Sequence, residues 1–125
     1  MIINIYVAWT AFLLGGMAGA VTGLFFHKAD WLGGYDSWQR RMIRLGHIAF
    51  FGLGLLNLSL ALTAQSLGIT SGLVPASWLL VVGAATMPTV CYLSAYKMAF
   101  RHLFFIPAAS TILAVASFLW RITVP

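Results

Sequence analysis

The feature that most limits what this chain can become is Ile2–Phe26, a run of twenty-five residues without a charged side chain. As a helix rising ~1.5 Å per residue it would be ~37 Å long, enough to cross a ~30 Å hydrocarbon core with some tilt. Three more apolar runs follow, over residues 45–65, 77–96 and 103–123. Backbone in hydrocarbon has no water to bond to, so each run must satisfy its own N–H and C=O groups as a helix. The expectation is an all-α integral membrane protein, a four-transmembrane-helix antiparallel bundle forming one membrane domain over residues 1–125. Composition agrees. Charged residues make up 7% of the chain, against about 25% in soluble domains. The first run lacks a basic n-region and is longer than the apolar core of a signal peptide, so it reads as the first span.

The most polar stretch joins the first two spans. Gly33-Gly34 marks a turn, and Asp36 is placed to cap a helix starting at Ser37, with Gln39 at capping-box spacing. That helix should run to about Gln65. Asp36 and Arg40 also stand at i, i+4. The second connection, with Gly68, Gly72 and Pro75, carries no charge. Pro88 should bend or loosen the third span, because it lacks an N–H and crowds the preceding turn. A basic link over residues 97–102 leads to the fourth span, with Pro107 either a kink or its first helical residue.

Of the seven Lys and Arg residues, all but Arg121 fall in the first and third connections or the helix start beside them. The positive-inside rule places both basic connections in the cytoplasm and both termini on the non-cytoplasmic side of a membrane of bacterial inner-membrane type. Trp31, Tyr35 and Trp38 at one surface, with Trp9, Trp78 and Trp120 towards the other, fit aromatic belts. The net charge of +5 then serves topology and lipid headgroups, not nucleic acid.

Gly16, Ala20 and Gly23 form one helical stripe that ends in His27, and Gly15, Gly19 and Gly23 form a second beside it. Small residues in such rows let membrane helices approach closely. The first stripe is therefore expected to draw the first helix onto a neighbour and aim His27 at it. With this topology His27, His47 and His102 all come to the basic end. Convergence of the three would suit a shared ligand or hydrogen-bond network. The leading cofactor reading is a haem held by His47 and His102, with a Zn or Cu ion on the three histidines as the second. Arg44 would meet an anionic group at its edge, a propionate or a lipid phosphate. His47 and Gly54 share a helix face, and Gly54 leaves room there for a planar group or a close neighbour.

Asn57, within the second span, needs interhelical partners and reads as structural glue. Met87 and Cys91 are soft donors of a type that suits Cu(I), though both also fill ordinary cores. The chain contains no Glu, no carboxylate inside a span and no P-loop, HExxH or CxxC motif. No nucleophile has a visible base beside it, so an enzyme acting alone is poorly supported. The reading is a small polytopic membrane protein serving as an accessory or cofactor-binding subunit of a larger membrane complex of electron-transfer type. Its expected contacts are the lipid bilayer and other membrane subunits or copies of itself. The alternative is a small oligomeric transporter or channel, which the polar residues around Pro88 and Asn57 would serve.

Overall fold

The computed structural model describes residues 1–124. Four helices account for most of them: α1, Ile2–Phe26; α2, Trp38–Ser66; α3, Val74–Tyr96; and α4, Phe105–Thr123. Short 3-10 segments at Trp31–Gly33 and Met98–Phe104 lie in the two basic connections. There is no strand among the described residues. All four helices are long and apolar enough to cross a membrane, and the chain is a four-helix membrane bundle. The main interfaces join helices consecutive in sequence, and α1 meets α3 over a shorter stretch. The centre of the bundle is therefore α2 and α3, with α1 and α4 at its flanks.

Leu60, Ala76, Leu80 and Ala114 form a buried cluster from α2, α3 and α4. Met1, Leu79 and Phe118 pack over it. Residue 1, the α2–α3 connection and the C-terminal part of α4 therefore share one end of the bundle. There Arg121 Nε donates to the Ser71 carbonyl at 3.1 Å, tying α4 to the connection. The two basic connections lie at the opposite end.

A buried polar clasp joins α1, α2 and α3. Asn4 Nδ2 donates to Asn57 Oδ1 at 2.8 Å, and Ser77 Oγ donates to Asn4 Oδ1 at 2.6 Å. Asn57 Nδ2 donates to the Leu53 carbonyl of its own helix at 2.8 Å, and more weakly to Leu80 of α3 at 3.3 Å. Both asparagines are fully buried. In hydrocarbon a carboxamide without partners costs several kcal/mol, so each amide here is satisfied by the other helices. Asn57 thus bonds to α1 and α3 as well as to its own helix. Asn4 and Ser77 complete the clasp, and nothing in their sequence context announced them.

The helix ends differ in detail from expectation. Ser37, not Asp36, caps α2: its Oγ accepts from the Arg40 N–H at 3.2 Å, one residue along from the anticipated register. The turn before it holds Leu32 at φ 51°, followed by Gly33 and Gly34 at φ 85° and 95°. α3 starts at Val74 with Pro75 in its first turn, where a missing N–H removes nothing from the helix. The helix also runs unbroken through Pro88. The hydroxyls of Thr86 and Thr89 donate to the carbonyls of Val82 and Ala85 on either side. Pro107 is not the first residue of α4, which starts at Phe105. It lies buried in the first turn, fed directly by the 3-10 segment.

The glycine rows need a correction. Gly16 and Gly23 face open space, with no atom near where a Cβ would stand, and Ala20 is exposed. The neighbouring row makes the contact with α2. A Cβ on Gly15 would lie 2.8 Å from Phe51 Cε2, and one on Gly19 would lie 2.5 Å from His47 Cε1. The rows differ by one residue, which is a rotation of about 100°. Phe50, Phe51 and His47 decide between them, because only the Gly15–Gly19 row leaves space for those rings. Across the same interface Gly54 of α2 accepts Phe12 of α1, whose Cε1 is 2.7 Å from where a Cβ would stand.

Candidate functional site

The end of α1 and the start of α2 build the most polar feature of the basic end. Arg40 is only 4% exposed although it carries a full charge. Its Nη2 donates to the Phe26 carbonyl at 3.2 Å, and its Nη1 reaches the Lys28 carbonyl at 3.5 Å. The Phe26 carbonyl is one that the end of a helix leaves without a partner, the Lys28 carbonyl also accepts from the Trp31 N–H at 3.2 Å, and the C-terminal pole of the helix dipole favours a cation there. The guanidinium carbon also lies 5.0 Å from the Phe26 ring centroid and 5.6 Å from that of Trp31. Aromatic faces and carbonyls thus replace water around the charge. Trp31 is held in turn by stacking on Phe25, with centroids 5.5 Å apart. The Trp31 ring is therefore part of this packing and more than a membrane anchor. The same holds for Trp38, whose Nε1 donates to the Ser94 carbonyl of α3 at 2.8 Å.

Arg44 is one turn further along α2. Its Nη1 donates to the Tyr35 carbonyl at 2.9 Å, and its guanidinium lies 4.1 Å from the Tyr35 ring centroid. Beside it is His47, whose ring meets Phe51 edge-on at 5.3 Å. The His47 Nδ1 is buried against Gly19 without a hydrogen-bond partner. Arg44 and His47, with Gly19, Thr22, Phe26, Ile43 and Ile48, line a crevice of about 290 Å³ between α1 and α2. The Thr22 hydroxyl is already engaged, donating to the Ala18 carbonyl at 2.8 Å.

The three histidines are not gathered into one site. His27 and His102 are exposed. His47 faces Gly19 of α1, whereas the segment carrying His102 packs on α3 and α4. Among the described residues no three His, Cys, Asp or Glu side chains come together as a metal-holding group. All three share an end of the bundle, but they point in different directions around it. The space that Gly54 leaves below His47 is taken by Phe12, whose ring stacks with Phe51 at 6.1 Å. Cys91 is buried against Gly46 of α2, whereas Met87 is only half-buried.

α1 presents Gly16, Ala20, Gly23 and His27 away from the bundle. α1 and α3 also diverge beyond the clasp, leaving apolar recesses of about 400 and 370 Å³ lined by residues such as Leu14, Phe50, Pro88 and Tyr92. Comparison of the chain with protein-family models, curated proteins and solved structures finds no match to any of them.

Proposed function

We propose that this chain is an accessory subunit of a larger membrane complex, docking through the outward face of α1. Its basic connections face the cytoplasm, and residues 1 and 124 face the other side, following the distribution of Lys and Arg. The observation that carries the reading is the uncovered row Gly16–Ala20–Gly23. Lipid tails are as apolar as a partner helix, so apolarity alone draws nothing to this face. A small-residue row instead offers close backbone approach, which an opposing helix fills better than mobile acyl chains do. The inner polar groups support the same reading. Asn4, Asn57, Ser77, Trp38 and Arg40 are all engaged in joining this chain's own elements. The connections are too short to hold a soluble domain.

The test is photo-crosslinking from a reactive amino acid at position 20, with affinity purification from gently solubilised membranes. The expected product is a single adduct with one different membrane polypeptide. The double variant Gly16→Leu, Gly23→Leu should abolish both the adduct and the co-purification. Its own thermal stability should stay within about 0.5 kcal/mol of the parent, since both positions face open space. A monomer with no adduct would overturn the proposal, as would an adduct with a second copy of this chain or a variant that still co-purifies.

A further inference from the structure

We infer that the α1–α2 crevice at the basic end is a binding site for the phosphate of an anionic membrane phospholipid. This site is separate from the outward face of α1 and is defined by the residues that line the crevice. Arg44 supplies a charge held in place before any ligand arrives. Its guanidinium face is set against Tyr35 at 4.1 Å, and one of its donors is fixed on the Tyr35 carbonyl at 2.9 Å. A guanidinium has five N–H donors in a rigid fork, so most remain for a planar pair of phosphate oxygens. His47 adds a second polar group, and its Nδ1 has no partner within the protein. A buried polar atom in that condition calls for a water or a ligand. Thr22 contributes no donor, because its proton already lies on Ala18. No carboxylate lines the crevice, so nothing there opposes an anion.

The rest of the lining chooses the kind of anion. Phe26, Ile43 and Ile48 are apolar, and Ile48 is 62% exposed. A free phosphate would leave these surfaces unused. A phospholipid would set its phosphate on the Arg44 fork, beside the His47 ring, and lay an acyl chain along the apolar wall. The location at the basic end of two spans also matches the depth of headgroups, where basic pockets between helices take anionic lipids. The space required is small, because about 290 Å³ suits a phosphate, its glycerol link and the first part of a chain.

The experiment uses the full chain, purified in a neutral detergent and stripped of lipid. Thermal midpoint and native mass spectrometry are followed on adding phosphatidylglycerol, phosphatidylcholine or inorganic phosphate. Phosphatidylglycerol should bind at a ratio of one and raise the midpoint, and the other two should do so weakly or not at all. Arg44→Gln should weaken phosphatidylglycerol binding by about tenfold or more, as expected for loss of a charge-assisted pair. Ile48→Trp, an exposed change that removes no internal contact, should obstruct the crevice and lower binding with the fold intact. The inference is overturned if both variants bind phosphatidylglycerol as the parent does. An equal response to phosphatidylcholine overturns the preference for anionic lipid. An equal response to inorganic phosphate overturns the lipid assignment.

Discussion

Replacing Arg40 with alanine should lower the stability of the folded bundle by about 2–4 kcal/mol, from charge-assisted bonds to carbonyls together with the loss of cation–π packing. The Phe26 carbonyl is held by Arg40 Nη2 at 3.2 Å, and truncation would leave it without that partner beside the Trp31 ring; the Lys28 carbonyl would keep only its bond from the Trp31 N–H. Arg40→Lys should recover only part of the loss, because an ammonium cannot span two carbonyls while lying flat on two rings. The control is Arg41, adjacent in sequence and exposed, where alanine should cost no more than about 0.5 kcal/mol. Unfolding titrations in mixed micelles would measure all three variants. Proteolysis across residues 28–37 should rise in Arg40→Ala, since the connection loses its tether to α2. Equal effects at Arg40 and Arg41 would contradict this assignment.

The second large effect is expected at the clasp. Asn57→Leu keeps roughly the same shape but leaves the Asn4 amide without its partner at 2.8 Å. Interhelical hydrogen bonds in membranes average ~0.6 kcal/mol with maxima near 1.7. Asn57 bonds three helices at one buried point, so a loss of about 1–2 kcal/mol is expected, at the upper end of that range. Asn4→Leu should cost a similar amount, because it also strands the Ser77 hydroxyl. The double variant should cost clearly less than the two singles together. Removing both members of a bonded pair leaves fewer orphaned groups than removing either one, and a double-mutant cycle reads that difference directly. Strict additivity would mean the two amides do not act together.

The spans were legible because hydrophobic length is a one-dimensional signal. The charge-free run Ile2–Phe26 is α1 itself. What a single sequence obscures is direction around the helix axis. Gly16 and Gly19 belong to overlapping rows with equal claims to packing, and the rings of α2 that choose between them lie thirty residues away. Arg40 and Arg41 read alike as topology signals, yet one rotates onto the end of α1 and the other to the surface. The histidines show the same division. Topology gives their common depth, but only the packing of His47 on Gly19, and of the His102 segment on α3 and α4, fixes where each one points. Asn4 was obscured for a different reason. A lone amide near the start of an apolar run looks peripheral until α3 brings Ser77 over it.

We propose that the four-span bundle places both basic connections on the cytoplasmic face and the α2–α3 connection on the other. Thiol labelling of single cysteines tests it most directly. In a Cys91→Ala background, Asp36→Cys, Thr70→Cys and Ala99→Cys each place one thiol on an exposed connection. A membrane-impermeant maleimide applied to intact cells should label only Thr70→Cys, and Asp36→Cys and Ala99→Cys should react only after the membrane is opened. Labelling of position 36 or 99 in intact cells, with position 70 protected, would contradict the orientation. Labelling of all three in intact cells would contradict the four-span bundle.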